Sequence, residues 1–419
     1  MRKPSLTLYF YLIAAILILF GLMLSPVPEM PHLFITLITH PATLILDTIE
    51  LAGGVSFINS GLLLLISMAL MGKHYRSTYT GIEVGALFLM ASFAFIGKNI
   101  INIWPIILGS YLFAKASRIA FRTIIPQALF ATSLCPIITD LMINTSTHPA
   151  VSLFAALIVG IMIGFLTIPV SRYTAKIHQG FSLYNVGMAT GLIGTVYVAL
   201  SRSFGHAIET QLIWGASRQN YVVAFILILA LLTVVFAFWF NPPKMMDLMK
   251  LNALPNKGGA DYISQVNTGT ALLNMAILLL LSSLFVTAVG SVFNGGTLCG
   301  ILTVMGFGAN GKNPRNTLPI LVGIYLGSLG KIWAMNEPKM ILVSLFATSL
   351  APFTQHFGFS AGVISGFVVS SVSISITLLH SGANLYNTGF SAGVVAITLL
   401  PIFETIRELK HPSNKKMRH

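Results

Sequence analysis

Two segments of an otherwise apolar chain carry the same polar residues at the same spacing. They read Gly97-Lys98-Asn99-x-x-Asn102-x-x-Pro105 and Gly311-Lys312-Asn313-x-x-Asn316-x-x-Pro319. A lysine flanked by two amides is equipped to hold an anion, because the ammonium supplies charge and the amides fix orientation. Glycine can stop a helix in a left-handed turn, asparagine can cap the next one and proline loosens it. Each segment therefore reads as a helix break that exposes backbone polar groups. The same residues also fit a helix corner at the membrane interface, where the lysine snorkels outward and favours the negative end of the preceding helix.

Two further stretches recur. Leu-Phe-Ala-Thr-Ser-Leu starts at Leu129 and again at Leu345, placing Thr132, Ser133, Thr348 and Ser349 ahead of Pro136 and Pro352. Their hydroxyls can satisfy the carbonyl that proline frees, or they can line a path for a polar solute. His-x-Gly-x-x-Leu-Tyr-Asn-x-Gly-x-x-x-Gly starts at His178 and at His380. Its glycine pairs, Gly187 with Gly191 and Gly389 with Gly393, have the spacing that lets two helices approach closely. Tyr184, Asn185, Tyr386 and Asn387 are candidates to face a cavity, and the histidines are expected at the interface. Glu83 and Asp140 have no acidic counterpart in the other copy, which argues against a symmetric carboxylate proton relay and leaves a single coupling site at either one open.

These residues sit in a chain of 419 residues that is 55% hydrophobic and 8% charged, with a mean hydropathy of +0.84. A soluble fold could not cover so much apolar surface with so few charges, so an integral membrane protein is expected. The formal charge of +13 comes from short loops and reports orientation; no nucleic-acid partner is implied. Cys135 and Cys299 stand alone in apolar stretches, which disfavours disulfides and thiolate metal sites. The basic, apolar opening lacks a small-x-small cleavage site and reads as an uncleaved first helix.

The landmarks recur in one order at a separation of about 215 residues, falling to about 202 at the last. Internal duplication follows. Each copy is expected to hold about seven helices, in the first near 7–25, 55–72, 81–97, 100–117, 123–142, 150–171 and 180–200. The fold class is thus an all-α polytopic membrane protein with about 14 transmembrane or re-entrant helices in two inverted-topology repeats, since an odd number of crossings turns the second copy over. Residues 1–205 form the first repeat, 206–220 an external linker, 221–406 the second repeat and 407–419 a basic cytoplasmic tail. With the N-terminus inside, 19 of the 24 lysines and arginines fall on the cytoplasmic side, and Lys98, Arg202, Arg218, Lys331 and Lys339 outside, so both termini are expected in the cytoplasm. A hairpin tip at each Gly-Lys-Asn segment keeps every other loop on the same side.

The paired Gly-Lys-Asn-x-x-Asn-x-x-Pro, Leu-Phe-Ala-Thr-Ser and Leu-Tyr-Asn-x-Gly motifs resemble the bacterial integral-membrane family catalogued as domain-of-unknown-function family 1576, across nearly the whole chain in two copies. The resemblance implies a bacterial inner-membrane protein and supplies no substrate. The stretch from Asn59 and the Leu-Tyr-Asn-x-Gly segments also look somewhat like urea transporters. The chain departs from that pattern in lacking a proline after Asn59, in its helix count and in Lys98 and Lys312. The expected function is a transporter moving a small polar solute, anionic if the lysines face it, by alternating access. The alternatives are a urea-like passive channel and an intramembrane enzyme acting on a lipid-linked substrate, for which no short catalytic signature is present. No cofactor is expected, the partners are the solute and the bilayer, and homo-oligomerisation is left open.

Overall fold

The computed structural model describes residues 5–74, 77–143 and 148–410. Arg2, Lys3, Arg76, Lys415, Lys416 and Arg418, which entered the charge count, and all but the first four residues of the expected tail lie outside the described residues. The first half holds α1 (Leu6–Leu24), α2 (Met30–Thr39), α3 (Thr48–Ala52), α4 (Gly54–Leu70), α5 (Gly81–Phe93), α6 (Trp104–Ala116), α7 (Ile125–Ala131), α8 (Cys135–Ile143), α9 (Pro149–Ile177) and α10 (Asn185–Ser203). The second holds α11 (Gln219–Phe240), α12 (Met245–Ala253), α13 (Tyr262–Gln265), α14 (Thr268–Ala288), α15 (Gly295–Gly306), α16 (Pro314–Ser328), α17 (Pro338–Ala347), α18 (Ala351–Phe357), α19 (Phe359–Thr377) and α20 (Asn387–Lys410). The order repeats, and each helix has its counterpart ten numbers later. The short strands β1 (Leu44–Leu46) and β2 (Gln211–Ile213) pair in parallel, Leu44 opposite Gln211, so the expected linker is tied to the first half.

Eight of the helical stretches described are long and apolar enough to cross a membrane. The count falls short of 14 because several expected crossings are short. Gly54–Leu70, Gly81–Ile96 and Gly295–Ala309 are apolar helices of fewer than 18 residues, and a 16-residue helix spans about 24 Å against a hydrocarbon core of about 30 Å. By contrast α9, at 29 residues, reaches about 44 Å and outruns the hydrocarbon core, its last turns carrying Arg172 and Lys176. The expected crossing near 123–142 is present as α7 and α8 joined by a 3-10 turn at Thr132–Leu134. The short helices α2, α3, α12 and α13 were not expected, since none has the length or apolar run of a crossing.

Small residues set the packing. α6 and α9 run in the same direction with backbones touching: a Cβ on Gly109 would lie 2.0 Å from the Ile161 carbonyl, and one on Gly164 would lie 1.9 Å from that of Ile106. Their counterparts α16 and α19 repeat this, with Gly323 against Val363 and Gly366 against Ile320, at 2.0 and 2.1 Å. The centre of the molecule is the pair α5 and α15, which run in opposite directions. Gly81 at the start of α5 abuts the Ala309 carbonyl, Gly295 at the start of α15 abuts that of Phe95, and Ser92 Oγ lies 3.1 Å from Thr303 Oγ1 between them. The main apolar core surrounds this pair and draws on α1, α4, α11 and α14.

Candidate functional site

Each Gly-Lys-Asn segment is a turn that its own asparagines hold. A 3-10 turn, Ala94–Ile96, extends α5 and ends at Gly97 with φ +119°. There a Cβ would meet that of Ala42 at 1.9 Å. The Lys98 amide donates to the Phe93 carbonyl at 3.0 Å. Asn99 N donates to Asn102 Oδ1 and Asn102 N to Asn99 Oδ1, at 3.0 and 2.9 Å, while Asn102 Nδ2 donates to the Gly97 carbonyl at 3.1 Å. The second copy repeats every bond, with Gly311 at φ +102°, Lys312 N on Phe307 O and Asn313 with Asn316 as a capping box. Asn59 and Asn274 each donate to the lysine carbonyl of their own copy at 2.8 Å. The asparagines expected beside a solute therefore position the lysines.

Neither lysine snorkels: Lys98 and Lys312 are both 0% exposed. Lys98, which the charge count put in an external loop, is inside the protein, because the turn around it tucks under Ala42 and Leu46. Lys312 Nζ donates to the Tyr184 hydroxyl at 2.5 Å and to Thr348 Oγ1 at 2.7 Å. The Thr348 hydroxyl donates in turn to the Leu345 carbonyl, leaving its lone pairs for the lysine. Thr348 belongs to the same half as Lys312, whereas Tyr184 comes from the other. The equivalent partners of Lys98 would be Thr132 and Tyr386. In this structure Lys98 Nζ instead donates to Met90 Sδ at 3.3 Å and lies 5.0 Å from the Phe93 ring centre. The Tyr386 hydroxyl is buried without a hydrogen-bond partner. One lysine is clamped and its counterpart is not.

A chain of rings joins the two. Tyr184 and Tyr386 stand 4.7 Å apart, Tyr184 packs on Phe307 at 4.6 Å, and Tyr386 packs on Phe93 at 5.4 Å. Phe130 closes over Phe307 as Phe346 closes over Phe93. The two halves hold one another by matched bonds: Leu183 N donates to Ser349 O and Leu385 N to Ser133 O, both at 3.0 Å. The Ser133 hydroxyl reaches Thr190 at 3.3 Å, and that of Ser349 has no partner. Asn185 is tied to Thr174, His178 and the Ser171 carbonyl, and Asn387 donates to Thr377. His178 and His380 are buried inside the protein at 1% and 0% exposure, His178 against Asn185 and His380 beside Phe390.

Lys98 and Lys312 face no carboxylate. Among the described residues the ion pairs are Lys73 with Glu83 at 2.9 Å and His206 with Asp140 at 2.8 Å, neither of which includes a site lysine. A buried ammonium without a counter-charge is expensive, so each lysine is held either as the neutral amine or beside an anion that enters the site.

Two carboxylates that sequence reading passed over bind the halves together at the ends of α5 and α15. Asp47 caps α3 and also accepts from Gly295 N at 3.0 Å, while Asp261 caps α13 and accepts from Gly81 N at 2.9 Å. Both stand two residues before an isoleucine and 214 apart, the one signal that could have found them. Asp261→Ala is expected to lower stability in detergent by about 2 kcal/mol, through the lost cap and an orphaned amide on Gly81. An unchanged melting temperature would show that the bond is dispensable. Asp47 lies in a loop outside the spanning helices, where burial pushes its carboxyl up to about 6 against the backbone N–H groups that favour the charged form. A raised carboxyl value means that its contribution is fully present below about pH 4 and fades as pH rises through about 6. Asp47→Asn keeps the acceptor oxygen and should flatten this part of the pH profile. Parallel melting curves for the two proteins between about pH 4 and 7 would refute the assignment.

No curated protein and no solved structure matches this chain. A family model described as protein of unknown function (DUF1576) matches residues 28–203 and 241–405, two stretches that run from just before α2 to the end of α10 and from just before α12 into α20. Both carry the lysine turn, the Thr-Ser pair and the Tyr-Asn pair, and the chain belongs to this family.

Proposed function

We propose that the protein is a membrane transporter built of two inverted repeats that carries a small polar solute, anionic by preference, by alternating access. The observation that carries this reading is the pair of fully buried lysines, equivalent in the two halves, with no carboxylate to neutralise them. An anionic solute would supply the missing charge. The opposed directions of α5 and α15, and the matched bonds across the halves, support inversion about an axis lying in the membrane plane. A cytoplasmic-membrane location with both termini inside is part of the same proposal.

The clamped Lys312 and unclamped Lys98 fit the two ends of a transport cycle. In the alternate state Lys98 would take Thr132 and Tyr386, and Lys312 would let go of Tyr184. Each repeat would then rock against the other about the Gly187–Gly389 contact, with the lysines exchanging roles.

Counterflow in proteoliposomes tests the function. Vesicles loaded with unlabelled lactate, glycolate or sulfate should accumulate the matching labelled anion transiently, at a rate that saturates. Flux that never saturates and shows no counterflow identifies a channel. Conversion of a lipid-linked substrate in detergent, without any flux, identifies an enzyme.

A further inference from the structure

Beside the central site lies a cavity of about 60 Å³, walled by β1, α17, α19 and the start of α20. It has room for about four water-sized spheres, and so for a solute of roughly three to five non-hydrogen atoms. Ser373, Asn384 and Asn387 line it, and Ser373 Oγ, Asn384 Nδ2 and Asn387 Oδ1 are all without a hydrogen-bond partner. Ser373 and Asn384 are 0% and 2% exposed. Buried polar atoms left bare are costly and call for a ligand that completes them. In the first half Ser171 Oγ donates to Ile168 O at 2.8 Å and Asn185 Oδ1 accepts from Thr174 at 2.7 Å; the other bonds are matched in the second half, where Asn387 Nδ2 lies 3.5 Å from Ser373 O and Asn384 Oδ1 accepts from Tyr386 N at 3.0 Å. Lys339 is the charged residue lining the cavity, and no carboxylate lines it. On the inner side Phe346 separates it from Phe93 and Tyr386, at 5.8 and 6.1 Å between ring centres, and Lys98 lies on Phe93.

We infer that this cavity is a staging site that takes a small hydroxycarboxylate or carboxylate before it passes the Phe346, Phe93 and Tyr386 rings to Lys98. Asn384 Nδ2 and the Ser373 hydroxyl donate to the carboxylate oxygens, Lys339 supplies attraction, and Asn387 Oδ1 accepts from a hydroxyl on the solute. The staging role rests on the transporter reading; binding itself does not.

The test uses the full chain with Ile374→Cys, a half-buried lining residue, as reporter, and Leu342→Cys as a second. The native Cys135 and Cys299 are buried and should stay unmodified. Glycolate at about ten times its dissociation constant should slow maleimide modification of the reporter about tenfold, formate should slow it to a lesser degree, and urea should have no effect. Adding Ser373→Ala with Asn384→Ala should abolish protection without changing the rate in buffer alone. No protection by glycolate or formate at either reporter overturns the site, and protection by urea alone overturns the carboxylate assignment. Lys98→Met should keep the protection while losing uptake. Protection without any counterflow would retain the binding site and sink the transporter reading; counterflow without protection would do the reverse.

Discussion

Replacing Lys312 by methionine should abolish uptake while leaving the protein at least as stable as before. Methionine is unbranched and one heavy atom shorter than lysine, so it fills most of the same space without the charge. The anion then loses its counter-charge inside a low-dielectric site, which is worth about 3 kcal/mol or more, a fall on the order of a hundredfold in rate. Stability behaves differently, because a buried charge paired only with neutral groups is a cost to folding, and its replacement by an apolar side chain is commonly neutral or stabilising. The two lysines should separate in this respect. Lys98, with Met90 Sδ as its hydrogen-bond partner, should gain more stability on conversion to methionine than Lys312, whose loss strands the Tyr184 hydroxyl. Uptake measured in proteoliposomes and melting temperature in detergent report the two effects. Normal uptake in both single variants and in the double variant would remove the lysines from the site.

The second large effect is expected at the contact between α10 and α20. A Cβ on Gly389 would stand 3.0 Å from the Gly187 Cα, and one on Gly187 would stand 2.9 Å from the Gly389 Cα. Backbone cannot move aside there as a flexible side chain can, and the Tyr184 and Tyr386 rings pack against the same point. Gly389→Leu should therefore force the halves apart and cost about 3 kcal/mol, seen as a lower melting temperature and a loss of monodisperse protein on size exclusion. Gly330, where an added Cβ meets nothing within 4 Å, provides the control, and Gly330→Ala should stay within about 0.5 kcal/mol of the parent. Equal behaviour of the two variants would mean that the glycine contact does not hold the halves together.

The repetition of the chain was legible because polar identities within apolar helices are rare, and Gly-Lys-Asn, Thr-Ser and Tyr-Asn recur in one order. Which copy supplies which partner was not legible. Nothing in the spacing says that Lys312 takes its threonine from its own half and its tyrosine from the other, since that exchange is a property of the packed halves. The role of the asparagines could have been read more closely, because residues three apart that bracket a helix start are a capping signature, and Asn313 with Asn316 is such a pair. Asp47 and Asp261 escaped notice because their surroundings, Leu-Asp-Thr-Ile and Ala-Asp-Tyr-Ile, share little else. Crossing counts suffered from a different limit. Hydropathy marks apolar length, whereas α5 and α15 are short helices sheltered by protein on nearly every side, so they need not match the bilayer thickness themselves.

Inversion of the two halves is the idea on which the transport cycle depends, and side-specific labelling tests it most directly. Lys115 at the end of α6 and Leu329 just past the end of α16 are equivalent positions, 214 residues apart, and both are exposed. With a membrane-impermeant maleimide, Lys115→Cys and Leu329→Cys should be modified from opposite sides, one in right-side-out vesicles and the other in inside-out vesicles. Modification of both from the same side would contradict the account.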